Sequence, residues 1–229
     1  MNSFASPQTL TALPFHPPAD GLYARVFDAI LEQRLHAASR FTEESLARMF
    51  AVRRSDVRGV LTQLSHQQVI VLRTHHRPRV AALDSEQTRQ TLHARRLAET
   101  MLVRLACQQP GPPGLKRVRA LIESERQCTT RGPAIRLAGE FHLQLAQIAG
   151  NAPLAHFLGS LVPLTSLAIA QFDVQLEGYC DWRVHEGILD AVERRDTVRA
   201  VTLVSRHLDD LEETLLNSGP SLSQNRVAG

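Results

Sequence analysis

FTEESLARMFAVRRSDVRGVLTQL, residues 41–64, decides how this chain is read. It divides into two short helices joined by a tight turn. Leu46, Met49 and Phe50 are the apolar positions of the first helix. Val57, Val60, Leu61 and Leu64 give the second the i, i+3, i+4, i+7 stripe of a helix packed on a core. Thr42 stands where it can cap the first helix, with Glu43 and Glu44 in the first turn, and Ser55 where it can cap the second. What remains outward on the second helix is arginine. Arg53 and Arg54 stand at its start and Arg58 in its first turn, where a recognition helix meets phosphates and base edges. A solvated basic face would use the same residues, so the flanking segments decide.

Residues 1–20 hold Pro7, Pro14, Pro17 and Pro18 with no sustained period and read as a flexible arm. Residues 22–34 read as a helix with Leu22, Val26, Ala29, Ile30 and Leu35 facing inward. After the helix pair, VIVLR (69–73) is a short strand, THHRP breaks it, and RVAAL (79–83) returns. One helix, a helix-turn-helix and a hairpin make a winged helix-turn-helix over residues 21–83.

The order and the residues resemble the GntR family of bacterial transcription regulators. The family pattern LTExxLAxxxGVSRTPVREALxxLxxxGLV is visible as FTEESLARMFAVRRSDVRGVLTQLSHQQVIV, residues 41–71. The resemblance implies that Arg54 and Arg58 touch operator DNA, that Thr42 and Ser55 bond phosphates, and that the wing meets the minor groove or backbone. Arg53 and the wing-tip Arg77 belong to the same expected surface on double-stranded DNA. Three family glycines are replaced, by Ala51, Gln68 and Arg77, and the last two positions often require φ > 0. Gly59 inside the recognition helix costs about 1 kcal/mol relative to alanine.

Residues 84–217 read as an all-α, six-helix bundle, and the chain from residue 218 as a loose tail. Asp84 and Ser85 begin a long helix to residue 108, with Leu92, Leu97, Met101, Leu102 and Leu105 as its apolar set. QPGPPG ends it. Further helices are expected over 115–128, 133–149, 153–172 (bent near Pro163), 177–194 and 197–217. This half resembles the FCD ligand-binding domain of the FadR/VanR branch of the same family. The matching residues are Arg95 with Glu99 in RRLAE, EFHLQLAQIAGNAPL around His142, HEGILDAVERRD around His185, and AVTLVSRHL ending near His207. The fold expected is therefore mainly α, a winged helix-turn-helix followed by an FCD-like bundle for effector binding and dimerisation.

In many FCD proteins three histidines and an aspartate four residues before the first surround a divalent metal. His142, His185 and His207 match the histidines, and the aspartate position is Ala138. Imidazole suits zinc or nickel, and i and i+4 share a helix face. Three readings stay open: a His₃ metal site, a metal-free pocket in which the histidines bind an anion directly, and histidines satisfied in the core. Glu140 cannot replace the aspartate, since two residues from His142 it projects from another face. Arg95 matches a position that points a guanidinium at the effector, and an ordinary ion pair with Glu99 is its alternative. Tyr179 and Trp182 lie near His185 in sequence, and core packing is the plainer role for Trp182.

Composition bounds the rest. The chain has 229 residues and a net charge of +3, so no uniform basic field exists. Its three cysteines, Cys107, Cys128 and Cys180, are widely spaced and form no metal-ligand or disulfide framework, which fits a reducing cytoplasm. No membrane-spanning run or signal peptide is recognised. The expected protein is a cytoplasmic homodimer that binds a palindromic operator, represses until a small organic acid binds, and is not an enzyme. The rival is a histidine-metal enzyme acting on a small acid, which would leave the winged module unexplained.

Overall fold

The computed structural model describes residues 21–172 and 182–218. Among these, α1 (Leu22–Leu31), α2 (Glu43–Phe50) and α3 (Arg54–His66) precede a hairpin of β1 (Ile70–Val71) and β2 (Arg79–Val80). Six helices follow: α4 (Ser85–Gln108), α5 (Pro112–Gln127), α6 (Arg131–Ile148), α7 (Ala152–Gln171), α8 (Trp182–Glu193) and α9 (Thr197–Ser218). The mainly α architecture and the six-helix second half are those expected.

The helix pair forms for local reasons. Thr42 Oγ1 accepts from the Ser45 amide at 3.1 Å, and Ser45 Oγ accepts from the Thr42 amide at 2.8 Å, so each satisfies an orphan donor at the start of α2. Ala51 closes α2 with φ 55°. Ser55 is not the cap of α3. The chain turns helical at Arg54, because the Arg53 carbonyl already accepts from the amides of Asp56 and Val57, and Ser55 lies inside the first turn.

The hairpin pairs Ile70 with Val80 and Val71 with Arg79 in antiparallel register, shorter than the strands expected. Gln68 does adopt φ 60°, but Arg77 does not carry the left-handed turn of the wing; His75 does, at φ 62°. The tip reverses where the His76 amide bonds the Arg73 carbonyl. Arg77 precedes Pro78, which biases it to extended backbone. α1 stops at Leu31, earlier than residue 34, where Gln33 turns left-handed at φ 59° and lets Leu35 fold back into the core.

In the bundle, Asp84 caps α4 by accepting from the Gln87 amide at 2.7 Å. Leu92 and Leu102 are buried, but Leu97 is 63% and Met101 50% exposed, and Met49 on α2 is 56% exposed. These three were expected inward. α4 packs against α9, α7 and α6, and Leu97 and Met101 fall on the side away from those neighbours. α7 runs through Pro163 without ending. It is long and apolar enough to cross a membrane, contrary to the sequence reading, yet 67% of its apolar window is buried inside the protein, as in a core helix.

α1 packs on α6 and α7, so one apolar cluster runs from Val26 and Ile30 through Phe141 to Leu208. Gln171 at the end of α7 adds two polar ties to the segment after the wing, donating to the Ala81 carbonyl at 2.6 Å and accepting from the Leu83 amide at 3.1 Å. The helix that carries His142 is thus in direct contact with the winged module.

Candidate functional site

Three helices bring the three predicted histidines together. His142 comes from α6, His185 from α8 and His207 from α9. Their ring centroids form a nearly equilateral triangle of 5.2, 5.2 and 5.3 Å, and one nitrogen of each lies within 4.8 Å of the others. His142 and His185 are buried; His207 is half-buried. Phe141, beside His142 in the chain, stacks on the His185 ring at 4.1 Å between centroids and 16° between planes.

The outer faces of two rings are held by carboxylates. His142 Nδ1 lies 2.6 Å from Glu99 Oε2, and His185 Nδ1 lies 2.8 Å from Glu125 Oε2. Glu99, held ionised by Arg95, can only accept, so His142 Nδ1 carries the proton and Nε2 the lone pair, and His185 Nδ1 faces Glu125 in the same geometry. His185 Nε2 is buried with no hydrogen-bond partner. Arg95, buried on α4, is ion-paired with Glu99 one turn later, and its Nη2 is also buried without a partner. Arg95 thus makes the ion pair with Glu99 that was its alternative reading and leaves Nη2 as a buried donor.

The electrostatics favour neutral His142 and His207 around a fixed carboxylate. Burial pushes Glu99 up, but Arg95 and His142 outweigh it and hold the carboxyl well below the usual range. Burial lowers His142 to about 4, with the Arg95 charge acting in the same direction and Glu99 against it. Burial and the two neighbouring imidazoles put His207 well below its ordinary value. Neutral imidazoles are the form that ligates metal.

This donor set fits a divalent ion. Three imidazole nitrogens with carboxylates behind two of them are the arrangement of zinc-type sites, which leave further positions open for water or substrate. Tetrahedral ligands at about 2.0–2.1 Å from one ion stand about 3.4 Å apart, so nitrogens that lie within 4.8 Å of one another would draw together by up to about 1.4 Å to hold it. Ala138 is buried and offers no donor. Glu140 faces away, accepting from Gln144 at 3.1 Å.

Sequence reasoning linked Glu99 only to Arg95 and missed Glu125 altogether. Glu125 occupies a buried position on the stripe of Val118, Leu121 and Ile122. A charged residue on a core stripe was the available signal. Trp182 packs partly on the core, with the Arg183 guanidinium 4.6 Å from its ring centroid, outside the histidine triangle. Tyr179 and Cys180 lie outside the described residues.

On the winged module, Arg53, Arg54, Ser55, Arg58 and Arg77 are all exposed, and Thr42 is half-buried as a cap. Glu43 binds two of these arginines. Its carboxylate accepts from Arg54 Nε at 2.7 Å and from Arg58 Nε and Nη2 at 2.9 Å each. The two guanidiniums hold Glu43 down to about 2. Arg53 is tied to Asp56 at 3.1 and 3.2 Å. Thr42, Arg54 and Arg77 share one hollow between α2, α3 and the wing, which brings three of the six residues of the expected DNA surface together.

The FCD domain model matches residues 90–210. Solved structures share the fold over nearly the whole chain. McbR/YncC of E. coli superposes with a TM-score of 0.71 at 15% identity, covering 85% of this chain and 95% of that one. A GntR transcriptional regulator from Rhodococcus sp. RHA1 gives 0.69 at 17% identity, with 86% and 96% covered. A GntR family member from Pseudomonas syringae pv. tomato str. DC3000 gives 0.51 at 24% identity, with 88% of each chain covered. A comparison with curated proteins gives no match. At these identities the likeness is one of fold. With a winged helix-turn-helix ahead of a matched six-helix bundle, a fold shared with these solved structures, the chain belongs to the FCD domain family.

Proposed function

We propose that this protein is a transcription regulator that binds a palindromic operator as a homodimer and releases it when a small organic acid binds the bundle. His142, His185 and His207 hold a divalent metal, zinc or nickel, and Arg95 receives the acid. The observation that carries this reading is the unpartnered pair His185 Nε2 and Arg95 Nη2, a buried lone pair and a buried cationic donor in one polar centre. Buried polar atoms without partners cost free energy unless a ligand satisfies them. A bound dication would supply a Lewis-acid seat for one carboxylate oxygen.

The chain's own residues supply the remainder. Glu99 and Glu125 fix the ring orientations, Phe141 braces His185, and Arg95 offers the second contact to the acid. On the winged module, Arg54 and Arg58 contact the major groove, Arg53, Thr42 and Ser55 the phosphates, and Arg77 the flanking groove. Coupling requires the acid to bind one arrangement of the two winged modules more tightly than the other. α6 carries His142 and packs on α1, which gives such a preference a direct mechanical route.

The experiment is operator retention on a gel, using DNA selected by the wild-type protein from a random pool, with a panel of carboxylic acids. Release by one acid class in the wild type, abolished in Arg95→Ala with DNA binding kept, is expected. Release that persists unchanged in Arg95→Ala would overturn the role of Arg95. Retention without any selected sequence would overturn the regulator reading.

A further inference from the structure

Burying a carboxylate is costly unless its charge and lone pairs are answered. Glu125 is 5% exposed, its Oε1 has no hydrogen-bond partner, and among the described residues its one ion pair is with His185. That is a poor arrangement for a residue whose task is stability alone. A hydrophobic residue on the Val118–Ile122 stripe of α5 would pack there without the cost.

The charges around the triangle are few. Arg95 and Glu99 form a buried ion pair and cancel. Among the described residues, the other ionisable groups at the centre are the three histidines, neutral when they ligate. Among the described residues, Glu125 is then the carboxylate at the centre that no arginine or lysine pairs, placed directly behind His185. The position that carries an anionic donor in the FCD pattern is a buried methyl here, Ala138.

We propose that Glu125 is the anionic positioning residue of the histidine centre: from behind His185 it supplies the negative charge that residue 138 does not supply. This rests on the reading of the triangle as a metal site. Glu125 does not touch the ion. By accepting the Nδ1 proton it holds His185 in the tautomer whose Nε2 lone pair faces the centre and makes that lone pair a stronger donor. Its charge also offsets part of the dication's. Glu99 orients His142 in the same way, but Arg95 neutralises it, so the two carboxylates are not equivalent.

The test is zinc affinity of the full chain, measured by competition with a chromophoric chelator at neutral pH. Glu125→Gln keeps the shape and an amide oxygen for Nδ1–H but removes the charge. A loss of about 10- to 100-fold is expected, the range for outer partners of metal-bound histidines. Adding Ala138→Asp to Glu125→Gln should restore affinity to near the wild-type value, which a merely structural defect would not allow. Equal affinity of Glu125→Gln and wild type would overturn this inference and leave the metal reading standing. No zinc binding by the wild type would overturn the metal reading and this inference with it. If Glu125→Gln fails to fold, Ala138→Asp alone decides. Where Glu125 already supplies the charge its gain stays below about tenfold, and a gain beyond the roughly 100-fold reach of an outer partner overturns the proposal.

Discussion

Arg136 on α6 grips Asp28 on α1 with two hydrogen bonds, 2.7 Å from Nε to Oδ1 and 3.2 Å from Nη2 to Oδ2. The pair is largely shielded, with side-chain exposures of 12% and 15%. It joins the helix that carries His142 to the first helix of the winged module. A centre that moves α6 on binding a ligand moves this grip with it.

Arg136→Met is therefore expected to cost about 1–3 kcal/mol, because it leaves Asp28 shielded and unpaired. Urea unfolding followed by circular dichroism measures the loss. The same variant should retain operator DNA but respond less to the acid that releases the wild type. A full response with full stability would show that the grip carries neither role.

Gly132 sits at the same contact. A Cβ there would meet Glu32 Cγ at 2.7 Å and the Asp28 carbonyl oxygen at 2.8 Å. The side chain can swing aside, but the backbone oxygen cannot without moving α1. Gly132→Ala should overpack the joint and lower stability by about 1–3 kcal/mol. Thermal unfolding of the variant against wild type checks this, and an unchanged midpoint would mean that α1 and α6 separate freely.

Arg58 tests the other end of the molecule. It is exposed, and its ties go to Glu43 on the neighbouring helix. Arg58→Ala should lower operator affinity by about 1–3 kcal/mol, the worth of one bidentate base contact, with little effect on folding. Gel retention together with an unfolding curve separates the two effects. Normal operator affinity in this variant would remove α3 from the role of recognition helix.

The buried histidine gives a pH dependence with a definite sign. His142 has an ordinary pKa of 6.5 and is pushed by burial to about 4 in the fold. The unfolded chain therefore takes up a proton before the folded chain does as pH falls. His207 is shifted in the same direction. Stability of the chelator-treated protein should be full above about pH 6.5 and decline between roughly 6.5 and 4. Unfolding temperature across that range is the measurement, and His142→Gln should flatten the profile. A profile flat in the unsubstituted protein would mean that His142 is protonated in the fold.

Much of this was legible in the chain. Thr42 and Asp84 announce the helix starts they cap, because capping is a local contest for a few amide protons. His142, His185 and His207 were picked out by their surrounding motifs, and they meet. Most of what failed is non-local. Leu97 and Met101 obey the helical period yet stay exposed, since periodicity marks an apolar stripe and not which neighbours cover it. Glu99 and Glu125 hold their histidines across sequence separations of 43 and 60 residues, which no spacing rule in either helix contains. Ser55 and Arg77 failed at turns, where Arg53 with Asp56, and Pro78, shift the geometry by one or two residues.

The most direct measurement is the metal content of the purified full-length protein by plasma mass spectrometry, before and after chelation, with unfolding temperature on the same samples. Near-stoichiometric zinc or nickel is expected, lost on chelation together with a fall in unfolding temperature and absent from His185→Ala. No metal in the protein as purified, with no thermal response to added zinc or nickel, would contradict the reading of His142, His185 and His207 as a metal centre.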